Sequence, residues 1–112
     1  MDLRFEVEEF DTLVVHLRDA EVDTTVTVRP AAAGIQSLAR AVGDAAASGY
    51  GECFWPDPEG QYWWMFKREA ETMEVIAMYT RGGATGWQHV FRATDSVDWV
   101  RQRLDEEAQQ LR

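Results

Sequence analysis

The 112-residue chain has one cysteine, three prolines and two histidines, and each scarcity excludes something. With Cys53 alone, no intramolecular disulfide can form. Packing must hold the fold, and a reducing cytoplasm is the expected setting. No stretch of 18 consecutive apolar residues occurs, so no membrane-spanning helix is expected. Met1–Glu6 has neither a basic start nor an apolar run and is not read as a signal peptide. Cations are scarce too: 11 Lys and Arg stand against 20 Asp and Glu, a net charge of −9, and Lys67 is the only lysine. A field of that sign repels phosphate, so nucleic acid is not an expected partner.

The catalytic signatures are missing as well. There is no G-x-S-x-G, and Gly82-Gly83-Ala84-Thr85-Gly86 lacks the Gly-Lys-Ser/Thr ending of a phosphate loop and leads into a strand, so it reads as a hairpin loop. His16, Cys53 and His89 have no metal-ligand spacing. Asp19-Ala20-Glu21-Val22-Asp23 begins like a calcium loop, but Thr24 and Pro30 stand where Gly and Glu are needed, so it reads as a solvated turn. Cys53 lies in an apolar strand without neighbouring cations and reads as structural. Glu52 and Glu74, set among apolar residues, are the only carboxylates with surroundings suited to acid–base work. No metal or other cofactor is called for.

What the chain does have is 46% hydrophobic residues, including five tryptophans. That suffices for one packed core, hence a single domain over residues 1–112. Alternation of apolar and polar residues predicts strands over 3–10, around Leu13, Val15 and Leu17, and from Val22 to Arg29. Pro30 ends this meander. Ile35, Leu38, Ala39, Val42 and Ala46 then mark an amphipathic helix over 32–48, with Gly34 a cost within it and Gly49 a cap. Strands follow over 50–55, 61–68 and 72–80, then from Trp87 to Ala93, with a turn at Pro56–Gly60 and a loop at Arg81–Gly86. Asp95 is the expected cap of a last helix with Val97, Val100, Leu104, Ala108 and Leu111 on its buried stripe. The expected fold is α+β: one antiparallel sheet of six or seven strands with two helices on one face, in the order meander–helix, meander–helix.

Trp55-Pro56-Asp57, Gly60, Tyr62-Trp63-Trp64-Met65-Phe66-Lys67-Arg68-Glu69, His89-Val90-Phe91 and the acidic terminal helix resemble small bacterial α+β proteins that carry no assigned activity. The resemblance covers the second half of the chain and implies no functional residues.

The informative feature is the aromatic hairpin. Pairing Arg68 with Glu71 places Tyr62, Trp64 and Phe66 on one face and Trp63, Met65, Ile76 and Met78 on the other, both largely apolar. One face can bury against the helices; the other needs cover from the chain, a protein or a ligand. Trp99, about 140° from the centre of its helix's apolar stripe, reads as a second interface anchor. The expectation is therefore a non-enzymatic protein-binding domain using Trp63, Met65, Ile76, Met78 and Trp99. Its occupant is a second copy, forming a homodimer, or a basic bacterial protein that it neutralises as an inhibitor does a toxin. The rival is a small-ligand pocket formed by Trp55, Tyr62, Trp64 and Trp87, with Arg81 meeting an anionic group. An enzyme with an unrecognised site comes third. Residues 1–23 hold eight acids against Arg4 and Arg18, so the first meander should present an acidic wet face.

Overall fold

A computed structural model describes residues 1–83 and 85–111; Ala84, within the predicted glycine loop, lies outside the described residues. The order is β1 (Asp2–Glu8), a 3₁₀ turn, β2 (Thr12–Asp19), β3 (Val22–Val28), α1 (Ala31–Ser48), β4 (Tyr50–Asp57), β5 (Gly60–Glu69), β6 (Thr72–Arg81), β7 (Gln88–Ser96) and α2 (Val97–Gln110). The α+β class and antiparallel pairing hold. The single sheet does not: β1–β2–β3 form one sheet and β4–β5–β6–β7 another. The physical reason lies in the connections. Connections of two to six residues let consecutive strands pair, whereas α1, about 27 Å long, carries the chain away from β3 before β4 begins.

Each sheet buries one face. Leu3, Phe5, Leu13, Val15, Leu17, Val26 and Val28 face inward from the first sheet. Cys53, Trp55, Trp64, Phe66, Met73, Val75, Ala77, Phe91 and Ala93 do so from the second, and both helices join the same core. At its centre Trp64 stacks on Phe66 at 5.9 Å and meets Trp55 edge-on at 5.2 Å. The Trp55 indole N–H donates to Ser37 Oγ at 2.8 Å, which in turn donates to the Gly34 carbonyl. The Trp64 indole N–H, fully buried, has no partner among the described residues.

Gly34 and Gly51 bring α1 close to its neighbours. A methyl group at Gly34 would overlap Val28 Cγ1, and one at Gly51 would overlap the Ala41 carbonyl of α1. The predicted cost of Gly34 inside a helix is thus the condition for seating that helix. Gly49, at φ 99°, ends α1 as expected. The cap of α2 is Ser96, not Asp95: Ser96 Oγ accepts from the Trp99 N–H at 3.0 Å, and Asp95 Oδ1 instead accepts from the Ser96 N–H.

Helix α2 also closes the open edge of β1. Glu107, only 3% exposed, accepts from the Phe5 N–H at 2.9 Å, and Arg103 Nε donates to the Leu3 carbonyl at 2.8 Å. Arg103 also lies 3.4 Å from Glu107, so the buried charge is paired. These two side chains satisfy backbone groups that a neighbouring strand would otherwise take.

Candidate functional site: the uncovered face of the second sheet

The β5–β6 turn is Ala70-Glu71, with Ala70 at φ 53°, so Glu69 pairs with Thr72 and Arg68 with Met73. The expected pairing of Arg68 with Glu71 is displaced by two residues. An even displacement leaves every side chain on its expected face. Trp63 now faces Met78 and Met65 faces Ile76, and all four share the outer side of the sheet, away from the core. Strand β4 adds Tyr50, Glu52 and Phe54 to that side, because Cys53 and Trp55 point inward.

The rings gather at one end of this face. Phe54 and Trp63 stack, with centroids 5.6 Å apart and planes within 14°. Trp87, from the β6–β7 loop, lies across them at 5.2 Å from Trp63 and 6.3 Å from Phe54, tilted by 60° and 53°. A hydrogen bond from Thr80 Oγ1 to the Gly86 carbonyl at 2.8 Å holds the loop that delivers it. Glu52 Oε2 accepts from the Trp63 indole N–H at 3.1 Å and from the Tyr50 hydroxyl. Partial burial and the Glu52 carboxylate push the Tyr50 hydroxyl up to about 12. Tyr50, Phe54 and Trp87 remain 41%, 44% and 37% exposed. Further along, Ile76 is nearly covered, paired in register with Arg92, whose guanidinium binds Glu74 Oε2 at 2.8 Å.

Of the predicted interface residues, Trp63, Met65, Ile76 and Met78 come together; Trp99 does not join them. It is half-buried against the core, because a large indole reaches around its helix further than its angular position implies. The five predicted ligand residues are divided. Trp55 and Trp64 are in the core, and Tyr62 packs on Tyr79 at 4.7 Å on the inner side. Trp87 belongs to the outer face, where it shares a cleft of about 330 Å³ with Arg81. Tyr50 and Phe54 also belong to this face. Their parity along β4, opposite to Cys53 and Trp55, is the signal that places them there.

The other candidate chemistries disperse. His16 lies on the outer side of the first sheet against Glu6 Oε2 at 2.8 Å, Cys53 is buried, and His89 pairs with Met78. Among the described residues, no three His, Cys, Asp or Glu side chains are placed to hold a metal. Burial pushes the Cys53 thiol up to about 11, against opposing pulls from Ser37 and Arg40. Glu52 is exposed and Glu74 is bound to Arg92, so neither sits in the apolar pocket that acid–base work needs. No helix is long and apolar enough to cross a membrane among the described residues. Comparison with protein-family models, curated proteins and solved structures finds no match to the chain.

Proposed function

We propose that the chain is a non-enzymatic protein-binding domain that docks through the outer face of its four-stranded sheet. One observation carries the reading: Tyr50, Phe54 and Trp87 stay open to solvent beside half-buried Trp63, on a face that neither helix covers. Trp and Tyr anchors around a desolvated centre are what protein interfaces concentrate. A role in neutralising a basic protein fits the same face and the net charge of −9. The test compares wild type with Phe54→Asp, with the folded state of each checked by circular dichroism. Sedimentation at high micromolar concentration and affinity capture are run on both. The expected result is a specific association, with itself or another protein, that Phe54→Asp abolishes while the variant remains folded. Identical behaviour of the two proteins overturns the reading.

The small-ligand alternative finds support elsewhere. A cleft of about 520 Å³ runs between α1 and α2, lined by Ile35, Ala39, Val42, Leu104 and Ala108 with Gln36 and Asp105 beside them. Its size is that of many ligand sites. Ligand-induced stabilisation that Ala39→Trp removes would favour this reading over the sheet face.

A further inference from the structure

The geometry points to arginine as the side chain that the aromatic face receives: a guanidinium from a basic protein segment lies on the Trp63, Phe54 and Trp87 rings and hydrogen-bonds to Glu52. This rests on the docking reading above and names the chemistry of its partner.

Glu52 uses one oxygen for both of its internal contacts. Oε2 takes the Trp63 indole N–H and the Tyr50 hydroxyl, which fix the carboxylate at the edge of the ring cluster. Oε1 has no hydrogen-bond or ion-pair partner among the described residues. An exposed carboxylate held in place by two neutral donors on one oxygen leaves the other oxygen a free acceptor. Next to it stand two nearly parallel rings and a third tilted by 60° against Trp63. Ring faces attract cations, and Trp does so most strongly. The two cations on this side of the sheet do not occupy the place. Arg92 is bound to Glu74, and Lys67 stands opposite Tyr50 and Glu74 in register without an ion pair to Glu52.

Arginine fits better than lysine for two physical reasons. The guanidinium is flat and weakly hydrated, so it stacks on a ring at small desolvation cost, and its N–H groups lie in its plane, able to reach a carboxylate at the ring edge. The ammonium of lysine is compact and strongly hydrated. Charge favours the same class of partner. At −9 the chain repels acidic segments and, at low salt, copies of itself. The rings pack within 5.2–6.3 Å of one another, so the receptor is a platform with a charged edge and does not enclose its guest.

The test uses three synthetic peptides of identical glycine spacing that carry arginine, lysine or citrulline, titrated into the ¹⁵N-labelled full chain. Citrulline keeps the shape of arginine and removes its charge. The expected result is saturable shifts at the Trp63 and Trp87 indole N–H and the Glu52 amide with the arginine peptide, while the buried Trp55 and Trp64 indoles stay still. Lysine should bind several-fold more weakly, and citrulline not measurably. Glu52→Gln, at an exposed position, should weaken the arginine peptide about tenfold at unchanged Tm, equivalent to about 1.4 kcal/mol. Equal binding of all three peptides, shifts confined to the acidic first sheet, or indifference to Glu52→Gln each overturn the proposal. If no peptide binds this face while Phe54→Asp still abolishes an association of the chain with itself or another protein, the arginine proposal falls and the docking reading stands. If Phe54→Asp changes nothing either, both fall.

Discussion

The two sheets bury their inner faces in one core, yet their outer faces are built from opposite materials. On the first, Asp2, Arg4, Glu6, Val14, His16, Arg18, Asp23, Thr25 and Thr27 stand at paired register positions, and all but Val14 are polar. On the second, Trp63, Met65, Ile76 and Met78 occupy the equivalent places, with Phe54 beside them. Core formation requires neither choice. Charged and Thr-rich positions keep an antiparallel sheet solvated at no cost to its other side. Aromatic ones risk association, and their presence on one sheet alone is what the proposed docking function accounts for. Under the proposed docking function this contrast is a division of labour, in which the first sheet supplies long-range field and the second supplies contact.

The sheets also differ in how they are closed, and this gives the largest expected effect. The second sheet is seated against α1 through a backbone approach: Gly51 lies under the Ala41 carbonyl. A methyl group there has no flexible neighbour to displace. Gly51→Ala should therefore cost about 3 kcal/mol, the upper range for overpacking, read as a lower midpoint in urea. A loss within experimental error would mean that α1 can lift off β4, and the second sheet would then be as loosely covered as its outer face.

The first sheet is closed by side chains. Glu107→Ala removes the acceptor of the Phe5 N–H and the partner of Arg103, leaving buried groups unpaired. The expected loss is about 2 kcal/mol. Amide exchange should sharpen the comparison, since protection of Phe5 should fall while protection across β5 and β6 persists. Uniform loss of protection would show that the two sheets unfold as one unit.

Much of this architecture was legible in the residues. Strand alternation and the Ile35–Leu38–Val42 spacing place nearly every element, because side-chain period follows directly from backbone geometry. Hairpin offset is not written so plainly. Ala70 adopts φ 53° without glycine, so nothing in the turn distinguishes Glu69–Thr72 pairing from Arg68–Glu71. The face of Trp63 survives because the displacement is even. The division into two sheets escapes pattern reading, since alternation is the same within either arrangement. The side on which Trp87 packs is not legible, because it reaches the cluster from a loop, where periodicity has no meaning. Glu107 stands three residues after Leu104 and four before Leu111, a buried position by spacing. Its charge argued for solvent, and only the unpaired edge of β1 explains it.

The smallest expected effect falls on the acidic face and tests the division of labour most directly. Glu6 and Glu8 lie on the outer side of β1, and the Glu6 contact with His16 is half exposed. Reversing both to Lys should change stability by less than about 1 kcal/mol, as exposed ion pairs do. Against the arginine peptide, the double variant should slow association a few-fold at low salt, because the field that concentrates a cationic ligand weakens. The difference should vanish near 1 M salt, where the Debye length falls to about 3 Å. Dissociation should stay the same, since no contact on the aromatic face has changed; NMR line-shape analysis of the titration separates the two rates. Faster dissociation would place the peptide on the first sheet itself. The acids would then be a contact surface, and the contrast between a sheet that attracts and a sheet that holds would fail.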